Sequence, residues 1–179
     1  MGKVIPFKKA NNGSLNDLLE RAVILRKAVL NSDDGILVDV NAVEKIFEGK
    51  ISEILINNRL ISECFFLCGV YISGMLRDFI YSCPQSWQAI DYFEEAVKKD
   101  NPFYAKLGAD VCFFLCSLFE DRTNHRRRVI NKKTYIEIGG MLYYKFFSET
   151  DSDIGFLMSQ NFETMAEVTN EAVAKMKGG

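Results

Sequence analysis

LGADVCFFLCSLF (107–119), EDRTNHRRRVINKK (120–133) and TYIEIGGMLYYKFF (134–147) decide the fold. Two apolar segments flank a polar, cationic connection. That connection holds the only histidine, His125, and the only run of three arginines, Arg126 to Arg128. Asn101-Pro102 in front of the first segment sets a cap and then proline at the first helical position, a helix start signal. The spacing predicts a helix from Pro102 to about Phe119 and another from Thr134 to Phe147.

Working outward gives the same kind of element. Downstream, Asp151 or Ser152 starts a last helix using Ile154, Leu157, Met158, Phe162, Met165, Val168, Thr169 and Ala172, with Lys175 and Lys177 near its end. Upstream, Ser86 caps a helix with Trp87, Ile90, Phe93, Ala96 and Val97 on one side, and Lys98-Lys99 suits its C-terminal dipole. Leu60 to Cys83 is apolar nearly all round and is expected to be central. Gly69 and Gly74 within it cost about 1 kcal/mol each relative to alanine, which a close helix crossing would explain, and Pro84 ends it. Ile36 to Val40 is strand-like but has no partner strand. It is read as an extended lead into a short helix, about Asn41 to Phe47. Gly49 either breaks that helix or lies inside a longer one continued by Ile51, Ile54 and Leu55. Ser14, with Asp17 in capping-box spacing, opens a first helix carrying Leu15, Leu18, Ala22, Leu25 and Val29. Residues 1–13 read as a flexible tail. The fold class expected is all-α: a single compact helical bundle of about six or seven helices over 14–177.

Composition narrows the function classes. A net charge of −2 argues against a dedicated polyanion binder. At 48% hydrophobic residues the chain can build a core without a metal or disulfide staple. The five cysteines are odd in number and four lie in apolar runs, which points to reduced, core-filling thiols in a cytoplasmic protein. The first residues lack an apolar core of signal-peptide length. The uncharged run Cys64 to Leu76 has 13 residues, short of the about 20 that span a bilayer.

Several constellations carry chemistry. CFFLC occurs twice, at Cys64–Cys68 and Cys112–Cys116. Two i,i+4 pairs on facing helices would offer four thiolates to zinc, against the plainer expectation of core packing. Asp110, inside an apolar helix, needs a partner if buried. Arg126, Arg127, Arg128, Tyr143 and Tyr144 are the candidates. Glu63 and the Arg77–Asp78 pair are expected on a solvated face. Arg122, His125, the three arginines, Lys132 and Lys133 form a basic patch for phosphate or a nucleic-acid backbone. Tyr135, Tyr143 and Tyr144 stand by to stack bases, although Glu120 and Asp121 dilute the charge. His125 has no nucleophile partner, and no dinucleotide, phosphate-loop or zinc-protease motif occurs, so no catalytic residue and no cofactor are assigned.

The same stretch resembles a family of bacterial all-helical proteins with a pattern close to LGD-x-x-LF-x-x-GLF, then R-x-V, then Y-x-x-x-G-x-x-x-Y. The matching positions are Ala109-Asp110, Phe113-Phe114, Leu118-Phe119, Arg127, Val129, Tyr135, Gly139 and Tyr143. The chain departs from the pattern at Cys112, Cys116, Ser117, Thr134 and Leu142. The resemblance covers about 40 residues and implies kinship and a helical fold. It carries no activity across, but it singles out Asp110, Tyr135, Gly139 and Tyr143.

The functional expectation is a non-enzymatic cytoplasmic protein acting through self-association, as a homodimer, or through a protein partner, because one small bundle is short of room for so many apolar side chains. The alternative is a sensor for a small anionic ligand, or an unfamiliar enzyme, with a pocket near Asp110, His125, Arg126, Arg127, Arg128, Tyr135 and Tyr143. Nucleic-acid backbone binding ranks below both.

Overall fold

A computed structural model of the chain describes residues 40–118 and 131–177. Six helices and no strand occur among the described residues: α1 (Val40–Asn57), α2 (Glu63–Tyr81), α3 (Ala89–Lys99), α4 (Pro102–Leu118), α5 (Lys132–Thr150) and α6 (Asp153–Lys177). The bundle is all-α. The tail and first helix expected before residue 40, and the basic connection up to Ile130, lie outside the described residues.

Local chemistry accounts for the boundaries. α1 runs unbroken through Gly49, whose α-carbon looks into open space. It ends in a tight turn where Leu60 N–H reaches back to Leu55 O at 2.9 Å and Arg59 takes a left-handed conformation, φ 58°. Asn131 caps α5 by accepting the Thr134 N–H at 2.9 Å. Asp100 and Asp151 close α3 and α5 in the same left-handed region. Ser86 acts one step earlier than expected. Its hydroxyl accepts the Gln88 N–H, and α3 starts only at Ala89.

The centre of the bundle is α4, not α2 as the uniformly apolar sequence suggested. Gly108 to Phe114 are all buried. α4 packs against α3, α5 and α6, and α6 also lines α1, α2 and α5. α2 packs on α1 and α6 and reaches α4 through long side chains such as Tyr71 and Phe79. That leaves Leu67 and Val70 exposed on α2. By length and composition α2 is the one described helix able to cross a membrane, which the 13-residue uncharged run had not indicated. In this fold Cys68, Ile72, Leu76 and Ile80 of α2 join the common core.

Glycines set the closest approaches. A β-carbon on Gly108 would come within 2.9 Å of Tyr92 Cβ and 3.0 Å of Leu142 Cδ1, so α3, α4 and α5 converge there. A β-carbon on Gly139 would overlap the Phe162 ring and sit 2.9 Å from Cys112 Cβ, where α4, α5 and α6 converge. A β-carbon on Gly69 would sit 3.1 Å from Ile51 Cγ2 of α1, which fits the expected crossing; one on Gly74 would meet no helix backbone.

The face of α3 differs from expectation. Ala89, Tyr92 and Ala96 turn inward, while Ile90, Phe93 and Val97 turn outward. Two of the three inward residues are alanines, whose small side chains let the helix sit close on α4.

Gly139→Ala is expected to destabilise the protein by about 1–3 kcal/mol, the usual cost of overpacking. Gly49→Ala, in open space within α1, is expected to stabilise it by up to about 1 kcal/mol. Urea-unfolding midpoints of the two variants check both signs.

Candidate functional site

Asp110 is 2% exposed at the middle of α4. Its Oδ1 accepts two hydroxyl hydrogen bonds, from Tyr71 of α2 at 2.5 Å and from Tyr143 of α5 at 2.6 Å. Its Oδ2 accepts from Lys106 Nζ at 2.9 Å, one turn earlier on the same helix. Lys106 also lies 5.1 Å from the centre of the Tyr71 ring, and the two tyrosine rings meet edge-on at 6.2 Å. A buried carboxylate is costly unless paired and hydrogen-bonded. Here one cation and two neutral donors meet both needs, and three helices are tied at one point.

The surroundings fix protonation. Burial first, then the negative charge of Asp110, raises the Tyr71 hydroxyl well above the ordinary tyrosine range, and the same two causes act on Tyr143. Both tyrosines therefore serve as proton-holding donors and not as bases. Oδ1 has both lone pairs engaged, which ties α2, α4 and α5 together at one carboxylate.

A cavity of about 320 Å³ opens beside this tie, between α2 and α4. Tyr71, Lys106 and Asp110 line its inner end, Val70, Phe79 and Leu107 its apolar walls, and Arg77 and Asp78 its mouth. Arg77 is held by ion pairs to Asp78 (2.7 Å) and to Glu44 of α1.

No family model, curated protein or solved structure matches the chain. The resemblance to the bacterial helical family thus rests on the residues quoted for it. Three of the four positions it singles out, Asp110, Gly139 and Tyr143, lie at the seams of α4 with α5 and α6.

The expected site residues divide sharply. Asp110 and Tyr143 come together. Tyr135 is half-buried in the first turns of α5 and packs on the core. His125, Arg126, Arg127 and Arg128 fall outside the described residues. Tyr144, once a candidate partner for Asp110, is exposed and lies against Phe147. Tyr143, at 1% exposure, has no face free to stack a base, which removes it from any nucleic-acid surface. The four-cysteine zinc alternative does not form: no three metal-ligating side chains cluster among the described residues. Cys68 packs in the core, Cys64 is exposed, and Cys112 lies by Gly139 of α5. Burial, then the neighbouring Cys64, pushes the Cys68 thiol up to about 11.

Sequence reasoning missed two members of the tie. Lys106 was recoverable, since a lysine four residues before a buried aspartate shares its helix face. Tyr71 was not, because nothing local links it to a residue 39 positions away.

Asp110→Ala removes the acceptor of two tyrosine hydroxyls, those of Tyr71 and Tyr143, and is expected to cost about 2–4 kcal/mol. Asp110→Asn keeps an accepting oxygen and is expected to cost clearly less. Urea denaturation at neutral pH measures both. For pH the sign follows from raised folded-state values. Unfolded tyrosines ionise near 10.0 while Tyr71 and Tyr143 remain protonated in the fold. Their contribution is therefore whole below pH 10 and is lost as pH rises beyond it; Cys68 adds the same trend from about 9.0. Unfolding free energy is expected to fall above pH 10, and Tyr71→Phe to make that fall shallower by about 1.4 kcal/mol per pH unit.

Proposed function

We propose that the protein is a non-enzymatic helical module of the cytoplasm that pairs with a second copy of itself through the outer face of α3 and α5. The observation that carries this is the reversed face of α3. Its exposed stripe is the apolar one: Ile90 and Val97 are 52% and 60% exposed, with Phe93 between them. Met141 and Tyr144 of the adjoining α5 add to it. Between the two helices a cleft of about 350 Å³ is lined by Ile90, Phe93, Ile138, Met141, Leu142 and the side chain of Lys145. Monomeric proteins rarely leave such an apolar face contiguous and open.

A second copy suits the edge of this face. Most charges on α3 and α5 are already paired along each helix, Glu94 with Lys98 at 2.8 Å, Glu95 with Lys99 at 2.5 Å, and Glu149 with Lys145. Two identical faces meeting about a two-fold axis then bring no unbalanced like charge together. A stable pairing of this kind buries about 800 Å² per partner, and large side chains from two helices are a reasonable source of it.

Light scattering on the full chain is expected to report a dimer at micromolar concentration. Ile90→Glu combined with Met141→Glu is expected to give a monomer with unchanged helical circular dichroism, since both positions face outward. A wild-type chain that stays monomeric at high micromolar concentration would overturn the proposal.

A further inference from the structure

The pairing face carries a charge pattern with a symmetry of its own. Every fourth residue of α5 from 133 to 149 reads Lys133, Glu137, Met141, Lys145, Glu149. On a helix this spacing makes one ridge, inclined to the axis and winding slowly across the surface. All five side chains reach solvent: Lys133 and Glu137 freely, Lys145 and Glu149 in part, and Met141 at 64% exposure. Met141 and Lys145 also line the apolar cleft against Ile90 and Phe93 of α3. The ridge therefore borders the surface through which two copies would meet.

The order of charges changes sign about Met141. Turning α5 end over end about that residue puts Lys133 in the place of Glu149, and Glu137 in the place of Lys145. Ile138 and Tyr144, three residues to either side, exchange as well, so the centre is flanked by large side chains in both directions. A second copy laid antiparallel across Met141 brings lysine to glutamate at every charged position of the ridge. A second copy laid parallel over the same ridge, with the two-fold axis along α5, sets each residue against itself, Lys on Lys and Glu on Glu. Like charges in register across an interface are costly. Within one chain Lys133 is 3.8 Å from Glu137, and Lys145 pairs with Glu149. A carboxylate has two oxygens and an ammonium three donors, so contacts between chains extend these pairs without breaking them.

Resting on the reading that this face pairs with a second copy, we infer that the two α5 helices cross antiparallel with the two-fold axis at Met141. Glu137 of each chain then meets Lys145 of its partner, and Lys133 meets Glu149 at the rim. Ridges of four-residue spacing laid side by side cross at about 50°. That angle brings Lys133 and Glu149, which lie on opposite flanks of α5, toward each other. The stripe on α3 accepts the same reversal, since Ile90, Phe93 and Val97 put an exposed apolar side chain at each end and in the middle. The apolar cleft supplies the adhesion, and the charges of the ridge select its direction by penalising the other one.

A zero-length carbodiimide, which joins lysine amines to carboxylates in direct contact, tests the direction on the full wild-type chain. Lys133 and Glu149 lie 16 residues apart, about 24 Å along one helix, so a link between them joins two chains. Expected in the mass spectrum are Lys133–Glu149 and Lys145–Glu137 links that connect heavy- and light-isotope copies in a mixed sample. Glu137→Lys is expected to weaken pairing about tenfold, read by sedimentation. Glu137→Lys combined with Lys145→Glu is expected to restore it, with helical circular dichroism kept in both variants. A dimer that gives neither interchain link overturns the antiparallel crossing and leaves the pairing itself standing. So does a folded Glu137→Lys chain that pairs as tightly as wild type, or a double variant that pairs no better than the single one. A wild-type chain that stays monomeric overturns both.

Discussion

One oxygen atom, Oδ1 of Asp110, receives hydroxyl protons from two different helices, and the rest of the bundle is arranged so that this is affordable. A carboxylate inside an apolar helix would otherwise be a heavy penalty. Lys106 supplies the countercharge from one turn away, Tyr143 arrives on α5, and Tyr71 reaches across from α2. The last of these spans the space between α2 and α4 with a side chain. The cavity between them follows directly from the length of a tyrosine.

Small residues do the opposite work on the other side of α4. Gly108, Gly139, Ala89 and Ala96 draw α3, α5 and α6 in until no added methyl group fits at the two glycines. Close packing there uses the small side of α3 and turns its large side chains outward. Tight contact on the inside and an open apolar stripe on the outside are thus one choice, made by which residues are small.

Much of the fold was legible. Asn101-Pro102, the alternating polar turns and the 3.6-residue spacing marked the described helices, with boundaries off by a few residues. The failure at α3 has a clear cause. Periodicity finds an apolar face but does not say that core or partner covers it; alanines at the true contact carry little weight on any hydrophobic scale. Asp110 was visible as a carboxylate in need of company, and Tyr143 as one companion. Tyr71 was hidden by distance along the chain. The space between α2 and α4 was hidden as well, since a space between helices has no residue of its own.

Among the described residues the chain reverses three times on a residue that is not glycine: Arg59, Asp100 and Asp151, all exposed. Aspartate tolerates that backbone shape; arginine does so only at a cost of about 1–2 kcal/mol. Stability is therefore left unclaimed at the α1–α2 hairpin, at a solvent position where glycine would recover it. A protein that keeps such slack has been held to an adequate margin, not driven to its maximum.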